Sequence, residues 1–64
     1  MTREMVCNEK MYTMKDIEQM RIYASHEGIE IYSTDVVRSN GKIIVLVDSQ
    51  PAVNFLRRFN FVGK

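Results

Sequence analysis

Three sets of side chains in this 64-residue chain have the chemistry to catalyse, chelate or grip a ligand. Asp35 and Asp48 are the first, lying in the two apolar segments "IEIYSTDVV" and "KIIVLVD". On paired strands, two carboxylates in diagonal register stand roughly 7–8 Å apart. At that range they can share a divalent cation or divide acid and base roles. Neither belongs to a catalytic motif, and Asp48, next to Ser49 and Pro51, is equally placed to cap a helix. His26 is the second, in "ASHEG" at the end of an apolar-periodic stretch, where a positive imidazole would complement the helix dipole. It is the only histidine and has no cysteine nearby, so a zinc site is not expected.

The third set closes the chain in "QPAVNFLRRFNFVGK". Arg57, Arg58, Phe61 and Lys64, joined by Arg38 and Lys42 from a turn, form the one candidate basic patch. Such cations can contact phosphates or an acidic protein surface, and an exposed Phe can stack a base. Cations near a helix C-terminus also serve its dipole and solvate its outer face. No Gly-rich phosphate loop, HExxH pair or Ser-His-Asp order accompanies these groups. Cys7 is the lone cysteine and reads as a small apolar residue of a protein in a reducing compartment. No catalytic residue, cofactor or metal ligand is assigned.

Nine basic and eight acidic side chains leave a net charge of +1, too little for a general attraction to DNA or RNA. The apolar content of 45% favours a folded chain over a disordered one. The longest aliphatic run, Ile43 to Val47, falls far short of the ~20 residues that span a bilayer. Met1 to Glu4 leads into no long apolar stretch, so neither a secretion signal nor a membrane partner is expected, and a cytoplasmic location is.

Residues 1–10 read as a flexible arm or a short edge strand, and residues 11–64 as a single α+β domain. Thr13, with Asp16 three positions on, signals a helix start. Met14, Ile17, Met20 and Ala24 then recur at helical spacing for about thirteen residues, until Gly28. Ile22 and Tyr23 fall off that stripe. Asn40-Gly41 between two apolar segments is a two-residue hairpin signal, pairing Val36 with Val45, Val37 with Ile44 and Arg38 with Ile43. A bulge near Ser33-Thr34-Asp35 would shift the parity of the first strand. A last helix, capped by Asp48 or Ser49 and opened by Pro51, carries Ala52, Phe55, Leu56, Phe59 and Val62 on one face and ends at Gly63. The expected architecture is therefore helix, β-hairpin, helix. In element order alone it resembles small bacterial mRNA-cleaving toxins built like shortened double-stranded-RNA-binding domains. Those carry a histidine within a strand, and neither strand here contains one.

Consecutive aliphatic residues from Ile43 to Val47 ask for burial on both faces of a strand. Two short helices can cover both faces, one on each, or leave one face to a partner. On the second arrangement Tyr32, Val36, Ile43, Ile44, Val45, Leu46 and Val47 are the candidate interface with a second copy or a target protein. The function expected is that of a small, phage-like, non-enzymatic regulatory or inhibitory protein that binds another protein as a homodimer. Nucleic-acid binding through the basic and aromatic segment is the alternative, and a small nuclease or metal-dependent hydrolase the third reading.

Overall fold

The computed structural model describes residues 2–63. The chain runs β1 (Arg3–Asn8), α1 (Met14–His26), a 3-10 turn (Ser33–Asp35), β2 (Val36–Ser39), β3 (Lys42–Val47), α2 (Gln50–Arg57) and β4 (Val62–Gly63). The four strands make one antiparallel sheet in the order β2-β3-β1-β4. This β-α-β-β-α-β order, with β1 inserted between β3 and β4, is the split βαβ arrangement of ferredoxin-like folds. It hosts many unrelated activities and identifies none of them.

The α+β class is as expected, but the arrangement differs from a hairpin between two helices. The first ten residues hold an interior strand rather than an arm or an edge. Arg3 to Asn8 pairs along its whole length with Val47 to Lys42, and Met5 and Val6 pair on the other side with Gly63 and Val62. Met5 and Cys7 alternate into the core, at 0% and 3% exposure. With Ile43 and Val45 they form a cross-strand apolar patch.

The hairpin has the expected register: Val36, Val37, Arg38 and Ser39 face Val45, Ile44, Ile43 and Lys42. Its two loop residues both have positive φ, 51° at Asn40 and 76° at Gly41, as a type I′ turn demands. The strand that enters the hairpin is shorter than "IEIYSTDVV" suggested. The 3-10 turn at Ser33–Asp35 replaces extended chain and resets the parity, so that Ile31 is buried while Tyr32 is exposed.

Helix α1 starts on a capping box. The Asp16 amide donates to the Thr13 hydroxyl, and the Thr13 amide donates back to the Asp16 carboxylate at 2.9 Å. Ile17, Met20 and Ala24 are buried, but Met14, expected on the same stripe, is the first residue of the helix and 52% exposed. Both helices end in a Schellman motif. Gly28, at φ 78°, donates to Ser25 while Ile29 donates to Ala24; Asn60, at φ 66°, donates to Arg57 while Phe61 donates to Leu56. The second helix therefore stops at Arg57 rather than at Gly63, and the chain beyond Asn60 turns back to add β4.

Met5, Cys7, Ile43, Val45 and Val47 share one sheet face and one core with Ile17, Met20, Ala24, Ala52, Val53, Phe55, Leu56 and Phe61. Both helices thus cover the same face. Val53, left off the expected apolar face of α2, is buried in the same core.

Two outcomes follow from these turns and caps. Gly41→Val should destabilise the protein by ~1 kcal/mol or more in denaturant melts, because no atom lies within 4 Å of the added Cβ and the whole cost is positive φ. The hydrogen bonds from Thr13 hold the Asp16 carboxyl below the usual carboxylate range. Its stabilising contribution is present above the ordinary carboxylate pKa and is lost as pH falls through the lower folded value. Asp16→Asn should therefore flatten the acid side of the stability profile, read as urea midpoints from neutral pH to about pH 3.

Candidate functional site

Six-residue strands expose alternate side chains to opposite faces. On the face away from the helices, the cross-strand register aligns Val37, Ile44, Val6 and Val62 in one row across all four strands. Val37 is 45% and Val62 68% exposed, while Val6 and Ile44 are half-buried by their neighbours on the sheet. Leu46 extends the row along β3, with Glu4 opposite it on β1; at the other end Lys42 lies opposite Asn8. The open face is thus an aliphatic band bordered by an acidic and a basic side chain.

The interface residues expected from the sequence divide across the sheet. Ile44 and Leu46 lie on the open face. Ile43, Val45 and Val47 lie under the helices at 0%, 0% and 5% exposure and are not accessible to a partner. Val36 is half-buried against the same core, and Tyr32 stands off the sheet, its hydroxyl donating to Glu30 at 2.7 Å. That hydrogen bond, with the charge of Glu30, raises the Tyr32 pKa. Val6 and Val62 were not anticipated, because a strand at residues 3–8 between two others was not. The signal was the "IIVLV" run itself, which asks for apolar neighbours on both faces.

The basic and aromatic segment is likewise divided. Phe61, expected to stack a base, is 2% exposed and stacked on Tyr12 with ring centroids 5.9 Å apart. The Tyr12 hydroxyl donates to the Phe59 carbonyl, which ties the end of α2 to the start of α1. Arg58 pairs with Glu27 at 2.7 Å and lies 5.3 Å from the centroid of the Phe55 ring. Arg38 pairs with Glu9 at 3.5 Å. Arg57 and Lys42 are exposed, at opposite ends of different elements, and Lys64 lies outside the described residues. The described cations do not form a single groove.

Asp35 and Asp48 do come to one place. With Glu27, Glu30 and Leu46 they line an open cleft of about 880 Å3 where the end of α1 meets the start of α2. Among the described residues, no three His, Cys, Asp or Glu side chains gather in a way that could hold a metal ion. Helix α2 is capped by Ser49, whose hydroxyl accepts from the Ala52 amide, rather than by Asp48. His26 is the exposed last residue of α1. Cys7 is buried beside Met11, at 3.8 Å, and burial raises its thiol pKa, which disfavours the reactive thiolate. No helix among the described residues is long and apolar enough to cross a membrane.

No protein-family model, curated protein or solved structure matches the chain.

Since the Arg58–Glu27 pair is largely exposed, Arg57→Ala combined with Arg58→Ala should lower stability by about 1 kcal/mol or less. Phe55→Ala, which empties a site 1% exposed, should cost ~3–5 kcal/mol. Denaturant midpoints of the two variants compare them directly, and equal losses would contradict this division of roles.

Proposed function

We propose that this is a small non-enzymatic regulatory or inhibitory protein that works by docking on protein, and that the open sheet face is its docking surface. The observation that carries the reading is the row Val37–Ile44–Val6–Val62, extended by Leu46, on the face that neither helix covers. Aliphatic side chains contiguous across four strands gain by leaving water, and on a small domain such a patch marks an interface. Ile22 and Tyr23, 49% and 54% exposed on α1, leave a second apolar surface on the opposite side of the sheet.

Nucleic-acid binding is the weaker alternative. Four-stranded sheets that read single-stranded RNA stack bases on aromatic side chains of the open face. The described residues of that face, Glu4, Val6, Asn8, Val37, Ser39, Lys42, Ile44, Leu46 and Val62, include no aromatic. Arg38 and Arg58 are paired with carboxylates, and the net charge is +1. An enzymatic role would rest on Asp35, Asp48 or His26, none of which is buried or held by a partner side chain in the way acid–base chemistry requires.

Affinity capture from nuclease-treated lysate, using the protein and its Ile44→Lys variant, tests the choice. Proteins retained by the first should be lost by the second, while Asp35→Ala, Asp48→Ala and His26→Ala retain them. Sub-micromolar binding of RNA or DNA at physiological salt, abolished by Arg57→Ala with Arg58→Ala, would replace this reading with the nucleic-acid one.

A further inference from the structure

Resting on the reading of the open sheet face as a docking surface, we propose that its occupant is a second copy of this chain. The two copies stack face to face about a two-fold axis lying along the Val37–Ile44–Val6–Val62 row, so that their strands run in reversed directions.

Charge selects this partner and this pose. On one side of the row, an open cleft of about 350 Å3 is lined by Val6, Asn8, Lys10, Asn40 and Lys42 and by no carboxylate. On the other side Glu4 lies opposite Leu46 on the same open face. The nearest opposite charges are already engaged. Glu9, at the basic end, pairs with Arg38 at 3.5 Å. Arg3, at the acidic end, belongs to the helix-covered face and donates to Gln50 at 3.3 Å. One face therefore carries a basic end, an aliphatic middle and an acidic end.

A two-fold axis along the row sets each row residue on its own mate and exchanges the two ends. Lys42 of one copy then meets Leu46 of the other, with Glu4 on the adjoining strand. An axis along the strands would instead set Lys42 beside its own mate and the acidic end on the acidic end. The chosen contact is self-complementary, so it closes at two copies and exposes no further site.

The area sets the strength. The strands hold six, four, six and two residues; at about 4.8 Å between strands and about 3.4 Å between residues the face covers roughly 300 Å2 per copy. Specific interfaces bury about 800 Å2 per partner, so this dimer is weak and forms with rising concentration.

Sedimentation equilibrium across about 10 μM to 1 mM measures it. The mass should rise from 7.5 kDa towards twice that value, with a dissociation constant that increases several-fold as salt is raised from about 50 to 500 mM. Glu4→Lys and Lys42→Glu should each weaken the dimer by roughly tenfold, since symmetry applies each change twice, and their combination should restore it to within about threefold. Dimerisation unaffected by either single reversal would overturn the pose. A wild-type monomer throughout the range would overturn self-docking. If Ile44→Lys still abolishes capture of another protein in that case, the docking face stands with a different occupant; if Ile44→Lys changes neither property, both readings fall.

Discussion

Met5 meets Val45 in the middle of the β1–β3 ladder, and both are fully buried. Around that pair, six residues of antiparallel pairing insert the beginning of the chain into the sheet beside its second hairpin strand. Without β1, the hairpin would be two strands wide, and isolated hairpins are marginal in water. With it, Met5 and Cys7 complete the floor on which α1 and α2 rest, and an edge is created to which β4 adds Val62 and Gly63. The floor under both helices and the seat of β4 depend on that long-range pairing.

The helices reach the floor because their ends are shaped to return the chain. In each Schellman motif a residue with positive φ reverses the backbone, and the next residue is apolar and packs back on the core: Ile29 after Gly28 and Phe61 after Asn60. Phe61 then stacks on Tyr12, whose hydroxyl takes up the Phe59 carbonyl, so the C-terminal cap of one helix and the approach to the other share a contact. Arg21 closes the remaining connection by donating to the Ile31 carbonyl at 2.9 Å, which meets a backbone polar group in the segment leading to β2. A chain of 64 residues has little core to spare, so such local satisfaction of backbone groups matters more here than in a larger domain.

One-sided cover is the functional consequence. Helices of thirteen and eight residues, both placed over the Met5–Val45 face, leave none of the described chain to shield Val6, Val37, Ile44 and Val62. The same strand β3 that anchors the core with Ile43, Val45 and Val47 presents Ile44 and Leu46 on its other side. A single strand therefore serves both the core and the face proposed for docking. The charged ends of the open face give it direction, which an aliphatic band alone would lack.

Local chemistry was legible in the sequence wherever a few neighbouring residues decide the conformation. Thr13 with Asp16, Gly28, Asn40-Gly41 and Ser49-Gln50-Pro51 announced the helix boundaries and the hairpin, because capping and turn geometry act within four residues. The demand for burial on both faces of Ile43–Val47 was legible too, since the period of a strand is two. What the sequence could not show was which distant segment met each demand. "REMVCN" has the composition of an edge, and only the pairing with β3 makes it interior. Val62 continues the apolar spacing of α2 and Phe61 reads as an exposed aromatic, and only the reversal at Asn60, followed by the available edge of β1, turns them into strand and core residue. Asp35 and Asp48 share a cleft, and Glu4 and Lys42 border opposite ends of one face, because strand register places them there. Register depends on how the whole sheet buries its apolar side, and that is settled by contacts 38 residues apart in the chain, as between Val6 and Ile44, for which no local periodicity carries a signal.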